Sequence, residues 1–168
     1  MKNNYANTFE KYLKEEFKPA QEWAASSKGR DYISKMIPSL AEIKNKEDDV
    51  LAAVYEIKIN SISVYIGQSL RTVRRLYTHA CHLCDAPEEY FGIKQSEIQT
   101  IEMIVLTPPI LAEKARLQAE AENIKSKKPV LQPYYNIPGM HADACLPRGN
   151  ARREAMINAG VISLNARF

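Results

Sequence analysis

The sequence contains no apolar run of the roughly 20 residues needed to span a bilayer, so no membrane association is expected. Its first residues, Met1-Lys2-Asn3-Asn4-Tyr5, lack the apolar stretch of a secretory signal, which makes a cytoplasmic protein the default. Cysteine is scarce. Cys81, Cys84 and Cys145 are too few and too odd in number for a disulfide framework, in keeping with a reducing compartment. Internal repeats and low-complexity tracts are also missing, which excludes solenoids and disordered linkers as the main architecture. What is present is a chain of 168 residues, 45% hydrophobic and 26% charged, enough for one compact domain with its own core.

The net charge of +3 is unevenly distributed. Residues 1–50 are balanced, with nine Lys/Arg and nine Asp/Glu, and residues 51–122 carry seven against nine. Residues 123–168 carry seven, namely Lys125, Lys127, Lys128, Arg148, Arg152, Arg153 and Arg167, against two. Such a segment attracts a polyanion, or else is a solvated basic tail.

Pattern and charge together divide the chain into a helical extension (1–49), a core (50–132) and a basic extension (133–168). Phe9, Tyr12, Leu13 and Phe17 recur at helical spacing, and Ile33, Met36, Ile37 and Leu40 continue it after a break at Ser26-Ser27-Lys28-Gly29. The period then changes. Leu51 to Ile59 and Ile62 to Ile66 are rich in β-branched and aromatic residues around a tight Asn60-Ser61 turn, which predicts a β-hairpin ended by Gly67. Leu70 to Cys84 returns to helical spacing, with Val73, Leu76, Ala80 and Leu83 on one side, and Asp85-Ala86-Pro87 stops it. A third strand is expected from Ile98 to Leu106. Pro108-Pro109 then opens a long helix whose stripe is Ile110, Lys114, Leu117, Ala121 and Ile124. A last helix spans Asn150 to Asn158 and is capped by Gly160. The expected class is α+β, a small three-stranded, mostly antiparallel sheet with a β-β-α-β-α core and helices added at both ends.

Polar residues cluster on this scaffold. Tyr55 and Tyr65 lie on the hairpin strands. Arg71, Arg75 and His79 follow at i, i+4 spacing and so share a helix face, set opposite the Val73/Leu76/Ala80 stripe. Glu120 lies on the second helix beside Leu117 and Ile124. The set supplies a base, cations for a phosphate, an imidazole and a carboxylate for a divalent metal, the parts needed to hydrolyse a phosphodiester. Each residue also has a plain reading as a strand tyrosine, a solvated arginine or a surface glutamate.

The strings Val54-Tyr55-Glu56-Ile57 and Val64-Tyr65-Ile66-Gly67-Gln68-Ser69, followed by Arg71-Thr72-Val73-Arg74-Arg75-Leu76-Tyr77-Thr78-His79, resemble the GIY-YIG nuclease family. The resemblance resumes in Glu120-Ala121-Glu122-Asn123-Ile124, ahead of Lys127-Lys128-Pro129, and covers about half of the chain. It implies a Mg²⁺-dependent endonuclease, with Mn²⁺ as a substitute ion, acting on DNA in the manner of restriction, mobile-element or phage enzymes. Glu120 would hold the metal, with Glu113 and Glu122 less well placed. Tyr55 would take the proton from the attacking water, Tyr65 and His79 would orient water or base, and Arg75 would bind the phosphate, seconded by Arg71. The sequence departs from the family at Ala53 and Val54, which replace its first glycine and isoleucine. It departs again at Gln132, where the family often has an asparagine whose supporting role passes to Gln132, to Asn136, or is lost.

Two further expectations concern the flanks. Cys81 and Cys84, at C-x2-C spacing, with His141 and Cys145 form a candidate structural Zn²⁺ set, although a cysteine late in a helix also serves as an ordinary buried residue. Lys127, Lys128, Gln132, Arg148, Asn150, Arg152 and Arg153 are candidate nucleic-acid contacts, phosphate being the commoner target, and Tyr134-Tyr135-Asn136 would stack on bases or simply pack. A homodimer would let such an enzyme cut both strands. The alternatives are a nucleic-acid-binding module without turnover, a zinc-stabilised DNA-binding protein, and a plain α+β interaction domain.

Overall fold

A computed structural model of the chain describes residues 27–39, 51–133, 146, 149–165 and the backbone of 166–167. The predicted helix over Phe9–Phe17 and the residues Tyr134, Tyr135, Asn136, His141, Cys145 and Arg148 lie outside the described residues. The elements are α1 (Ser27–Met36), β1 (Ala53–Ile59), β2 (Ile62–Ser69), α2 (Thr72–Asp85), α3 (Pro87–Phe91), β3 (Ile101–Val105), α4 (Glu113–Lys127) and α5 (Asn150–Asn158). The three strands form one antiparallel sheet in the order β2-β1-β3, packed with several helices, an α+β fold. No helix among the described residues is long and apolar enough to cross a membrane.

The hairpin turns at Asn60-Ser61, where both residues adopt positive φ (50° and 67°), the backbone twist that two-residue hairpin loops favour. Asn60 also ties distant segments together. Its side-chain amide donates to the carbonyls of Glu97 (3.0 Å) and Val161 (2.9 Å), and its side-chain oxygen accepts from the N–H groups of Gln99 (2.7 Å) and Thr100 (3.2 Å). Asn60→Ala removes all four bonds and puts a residue without asparagine's tolerance at positive φ. It is expected to destabilise the fold by about 3 kcal/mol, read as a lowered urea midpoint. Asn60→Asp, which keeps the acceptor, is expected to lose less.

Strand alternation gives the sheet two dressed faces. Tyr55, Ile57, Ile59 and Tyr65 join the main core with Val73, Leu76, Tyr77 and Ala80 of α2, Ile33 and Ile37 of α1 and its end, and Met156, Ile157, Val161 and Ile162 of α5 and beyond. A register shift between Ile57 and Lys58 leaves Val64 as the extra residue of β2, so Val64 and Tyr65 both reach this core. Val54 and Ile66 face the other way and pack on Ile124 of α4.

β2 is an edge strand, and the chain after α4 covers it. Val130 N–H bonds the Ser63 carbonyl (3.1 Å) and Leu131 N–H bonds that of Val64 (3.0 Å). Gln132 completes the cover: its side-chain oxygen accepts from Ile66 N–H and its amide donates to the Ile66 carbonyl, each at 2.7 Å. Exposed edges invite pairing with other chains, and this segment removes that liability along β2.

Four expectations are corrected. Gly67 does not end β2, which continues to Ser69 opposite Ala53. Pro108-Pro109 does not open α4, because Leu106 N–H and Ile110 N–H still bond the carbonyls of Val54 (2.8 Å) and Ala52 (2.7 Å), holding the chain along β1 until the helix starts at Glu113. The buried stripe of α4 is Arg116, Glu120 and Ile124, not one running through the exposed Lys114, because the sheet beneath offers Gln68 as a polar partner. The Ser26–Gly29 break is also absent at its end, since α1 begins at Ser27.

Candidate active site

The residues around Gly67 are organised by close approach. Gly67 lies opposite Tyr55 in the hairpin, and a Cβ placed on it would sit 2.5 Å from the Tyr55 Oη, 2.7 Å from its Cζ and 3.0 Å from a Tyr65 ring carbon. Only glycine lets the Tyr55 ring lie across β2 in this way. The phenol is thereby directed at α2, where its Oη is 2.9 Å from His79 Nε2. Tyr65 completes the group, its ring centroid 5.1 Å from that of His79 and 6.4 Å from that of Tyr55. Tyr55 is only 1% exposed, and Tyr65 and His79 are buried as well.

α2 is positioned by Thr72. Its hydroxyl donates to the carbonyls of Ala53 (3.2 Å) and Ser69 (3.1 Å) and accepts from Ala53 N–H (3.1 Å), fixing the start of the helix to β1 and to the end of β2. Two turns on, His79 comes over Tyr55. Burial holds the His79 pKa well below the ordinary imidazole value of 6.5, and the charges of Arg75 and then His82 push it the same way. The imidazole is therefore neutral near pH 7, and in the Nδ1–H tautomer its Nε2 can accept a hydrogen bond from the Tyr55 hydroxyl. His79 itself is buried, packed with the tyrosine rings. Arg75 and Arg71 are exposed, Arg71 sitting at the N-cap of α2.

A depressed histidine pKa has a defined effect on stability. Below pH 6.5 the unfolded chain binds a proton that folded His79 refuses, so stability is lost as pH falls from the unfolded value toward the folded one. In urea denaturation the wild type is expected to lose up to about 1.4 kcal/mol per pH unit more than His79→Gln over that interval. Parallel pH dependence in the two proteins would contradict a buried neutral imidazole.

Glu120 lies on the buried face of α4, with Arg116 and Ile124. It is 1% exposed, whereas Glu113 and Glu122 on the same helix are exposed, so the fold singles it out from its rivals. One turn before it, Arg116 is also buried. Its Nε donates to the Gln68 side-chain oxygen (2.6 Å) and one terminal nitrogen to the carbonyls of Ile110 and Leu111, both 3.1 Å. One turn after it, Ile124 packs on Val54 and Ile66, and Lys127 pairs with Glu56 at 3.4 Å. Sequence reasoning missed Arg116; its i, i+4 spacing ahead of Glu120 was the available signal.

The structure thus groups Tyr55, Tyr65 and His79, with Arg75 close enough to act on His79 by its charge, and buries Glu120 on α4 between Arg116 and Ile124. Other predicted contacts are engaged elsewhere. Gln132 is buried against the Ile66 backbone and holds the edge strand rather than facing a ligand, a correction that follows from its two bonds to that residue. Arg153 makes a two-pronged contact with Glu97 (2.6 and 2.9 Å), which draws the Glu97 carboxyl below its ordinary range, and Arg152 donates to the carbonyls of Leu146 (3.2 Å), Glu89 (3.3 Å) and Tyr90. Both guanidinium groups therefore bind α5 to the rest of the fold. Lys128 closes α4 in the left-handed conformation and is exposed, as is Asn150 at the start of α5.

Among the described residues no three His, Cys, Asp or Glu side chains converge as a ready-made metal cluster. Cys81 and Cys84 are buried thiols in the main core, and their proposed co-ligands His141 and Cys145 lie outside the described residues. For a hard cation the donor type of Glu120 is suitable, since Mg²⁺ is commonly held by one or two carboxylates and keeps several waters. Compared with known protein families, with curated proteins and with solved structures, the chain matches none.

Proposed function

We propose that this chain is a metal-dependent endonuclease of the GIY-YIG type, hydrolysing phosphodiester bonds in DNA. The observation that carries the reading is the 2.9 Å contact between Tyr55 Oη and a His79 ring held neutral by burial. A phenol with an ordinary pKa near ~10 is a poor base at neutral pH. A neutral imidazole beside it can accept the phenol's hydrogen bond, orienting the phenolic oxygen toward the attacking water, so that in one concerted step that oxygen takes the water's proton while its own shifts toward His79 Nε2. Tyr65, packed against both rings, orients the pair. Arg75, exposed on the same helix as His79, meets the phosphate and the negative charge that grows on it.

Glu120 would hold Mg²⁺, or Mn²⁺ in its place, and the ion would supply positive charge to the phosphate under attack. A second reading is favoured by one observation, the near-complete burial of Glu120: a nucleic-acid-binding module that keeps the fold without turnover. The two separate on incubation of the full chain with duplex and single-stranded DNA, with Mg²⁺ and with chelator. The enzyme reading expects Mg²⁺-dependent strand breaks whose ends can be mapped. Salt-sensitive binding with intact substrate would instead support the module.

A further inference from the structure

At the end of the sheet where β2 gives way to α2, two loops are fastened together. Thr72 N–H bonds the Leu51 carbonyl (2.9 Å) and Ile110 N–H bonds that of Ala52 (2.7 Å), so residues 51–52 lie between the start of α2 and the loop before α4. Arg116 adds a buried strut from Gln68 to the carbonyls of Ile110 and Leu111. This rigid end carries an unusual surface. Leu111 is 74% exposed and Leu70 50% exposed, two of the three large exposed apolar side chains among the described residues. Arg71 and Arg74 are exposed beside them at the first turn of α2, and Pro108 and Pro109 are exposed in the facing loop. Apolar tips projecting from a braced platform next to arginines suit a partner that is a polyanion with apolar faces between its charges. A nucleic-acid strand has that chemistry.

We infer that residues 68–75 and 108–112 together form the nucleic-acid docking surface, with Arg71 and Arg74 on phosphates and Leu70 and Leu111 against sugars or base faces. The inference rests on the nuclease reading for the identity of the partner and adds where the strand lies. It also assigns contact to Arg74, Leu70 and Leu111, none of which the spacing of the sequence suggests. The surface ends at Arg75, one helical turn before His79, so a bound strand runs toward the Tyr55–His79 pair.

The test is fluorescence anisotropy of labelled single-stranded and duplex DNA with the full chain in chelator, where binding is read without cleavage. Arg74→Ala is expected to weaken binding several-fold and to lower the slope of log affinity against log salt by about 0.7–0.9, one phosphate contact. Leu111→Ser is expected to weaken binding about fivefold with the salt slope unchanged, more for the single strand than the duplex. Both positions are exposed, so circular dichroism should match the wild type. Wild-type binding undiminished in both variants would overturn the surface and leave the nuclease reading standing. A wild type that binds neither DNA at low salt would overturn both. Self-association lost in Leu111→Ser, without DNA binding, would reassign the patch to a protein contact.

Discussion

Glu120→Gln is expected to lose at least about a hundredfold in Mg²⁺-dependent cleavage while keeping the fold, read as single-turnover rate on plasmid DNA beside an unchanged circular dichroism spectrum. The substitution keeps the volume at a position that is 1% exposed, removes the charge and turns one acceptor oxygen into an N–H donor. A residue that merely packed α4 against β2 would tolerate an amide, because Ile124 on Val54 and Ile66, and Arg116 on Gln68, hold the helix on either side. The carboxylate's charge matters only if a cation or another charged group needs it. Retention of full metal-dependent rate would remove Glu120 from the mechanism. Glu113→Gln and Glu122→Gln serve as controls: both side chains are exposed, and their loss is expected to change the rate little.

Gly67→Ala is expected to have the largest effect on the site and the fold together. The added methyl would overlap the Tyr55 ring at 2.5 and 2.7 Å, distances no Cβ contact sustains, and it would crowd Tyr65 at 3.0 Å. Tyr55 has little room to retreat, since it is fixed between β2 and α2 by its bond to His79 and by the core around it. Overpacking of this kind costs about 1–3 kcal/mol, which in a chain of this size lowers Tm by several degrees. The same shift would separate the phenol from the imidazole, so cleavage should fall further than the loss of folded protein explains. A thermal melt and a rate measured well below the melting temperature distinguish the two losses. Unchanged Tm and rate would mean that the Tyr55 ring does not lie across Gly67.

Local signals explain which elements were legible in the sequence. The Asn60-Ser61 turn and the Asn150–Asn158 helix are found where they were expected, because a two-residue loop of turn formers between β-branched runs, and a short helix before glycine, are decided within a few residues. The Tyr55, Tyr65 and His79 grouping was legible through the resemblance of its motif. Its reason, a glycine that admits a ring, required the strand register.

What was misread depends on partners distant in sequence. Pro108-Pro109 looks like a helix start until Ile110 is seen bonded to Ala52. Arg116 looks like a solvated helix residue until Gln68 lies beside it. Gln132 looked like a surface contact, yet its amide caps an edge strand 66 residues earlier in the chain. Arg152 and Arg153 count toward a basic extension in the sequence, but folding brings the Tyr90 carbonyl and Glu97 to them. Charge counting along a chain cannot anticipate such pairings.

The central claim is that the Tyr55–His79 pair activates water for phosphodiester hydrolysis. Nicking of supercoiled plasmid by wild type and by Tyr55→Phe, each with Mg²⁺ and with chelator, tests it most directly. The phenylalanine keeps the ring that packs on Gly67 and deletes only the oxygen 2.9 Å from His79. The account predicts Mg²⁺-dependent nicking by the wild type, reduced on the order of a hundredfold or more in the variant. A wild type that never nicks, or a Tyr55→Phe protein that nicks as fast, would contradict it.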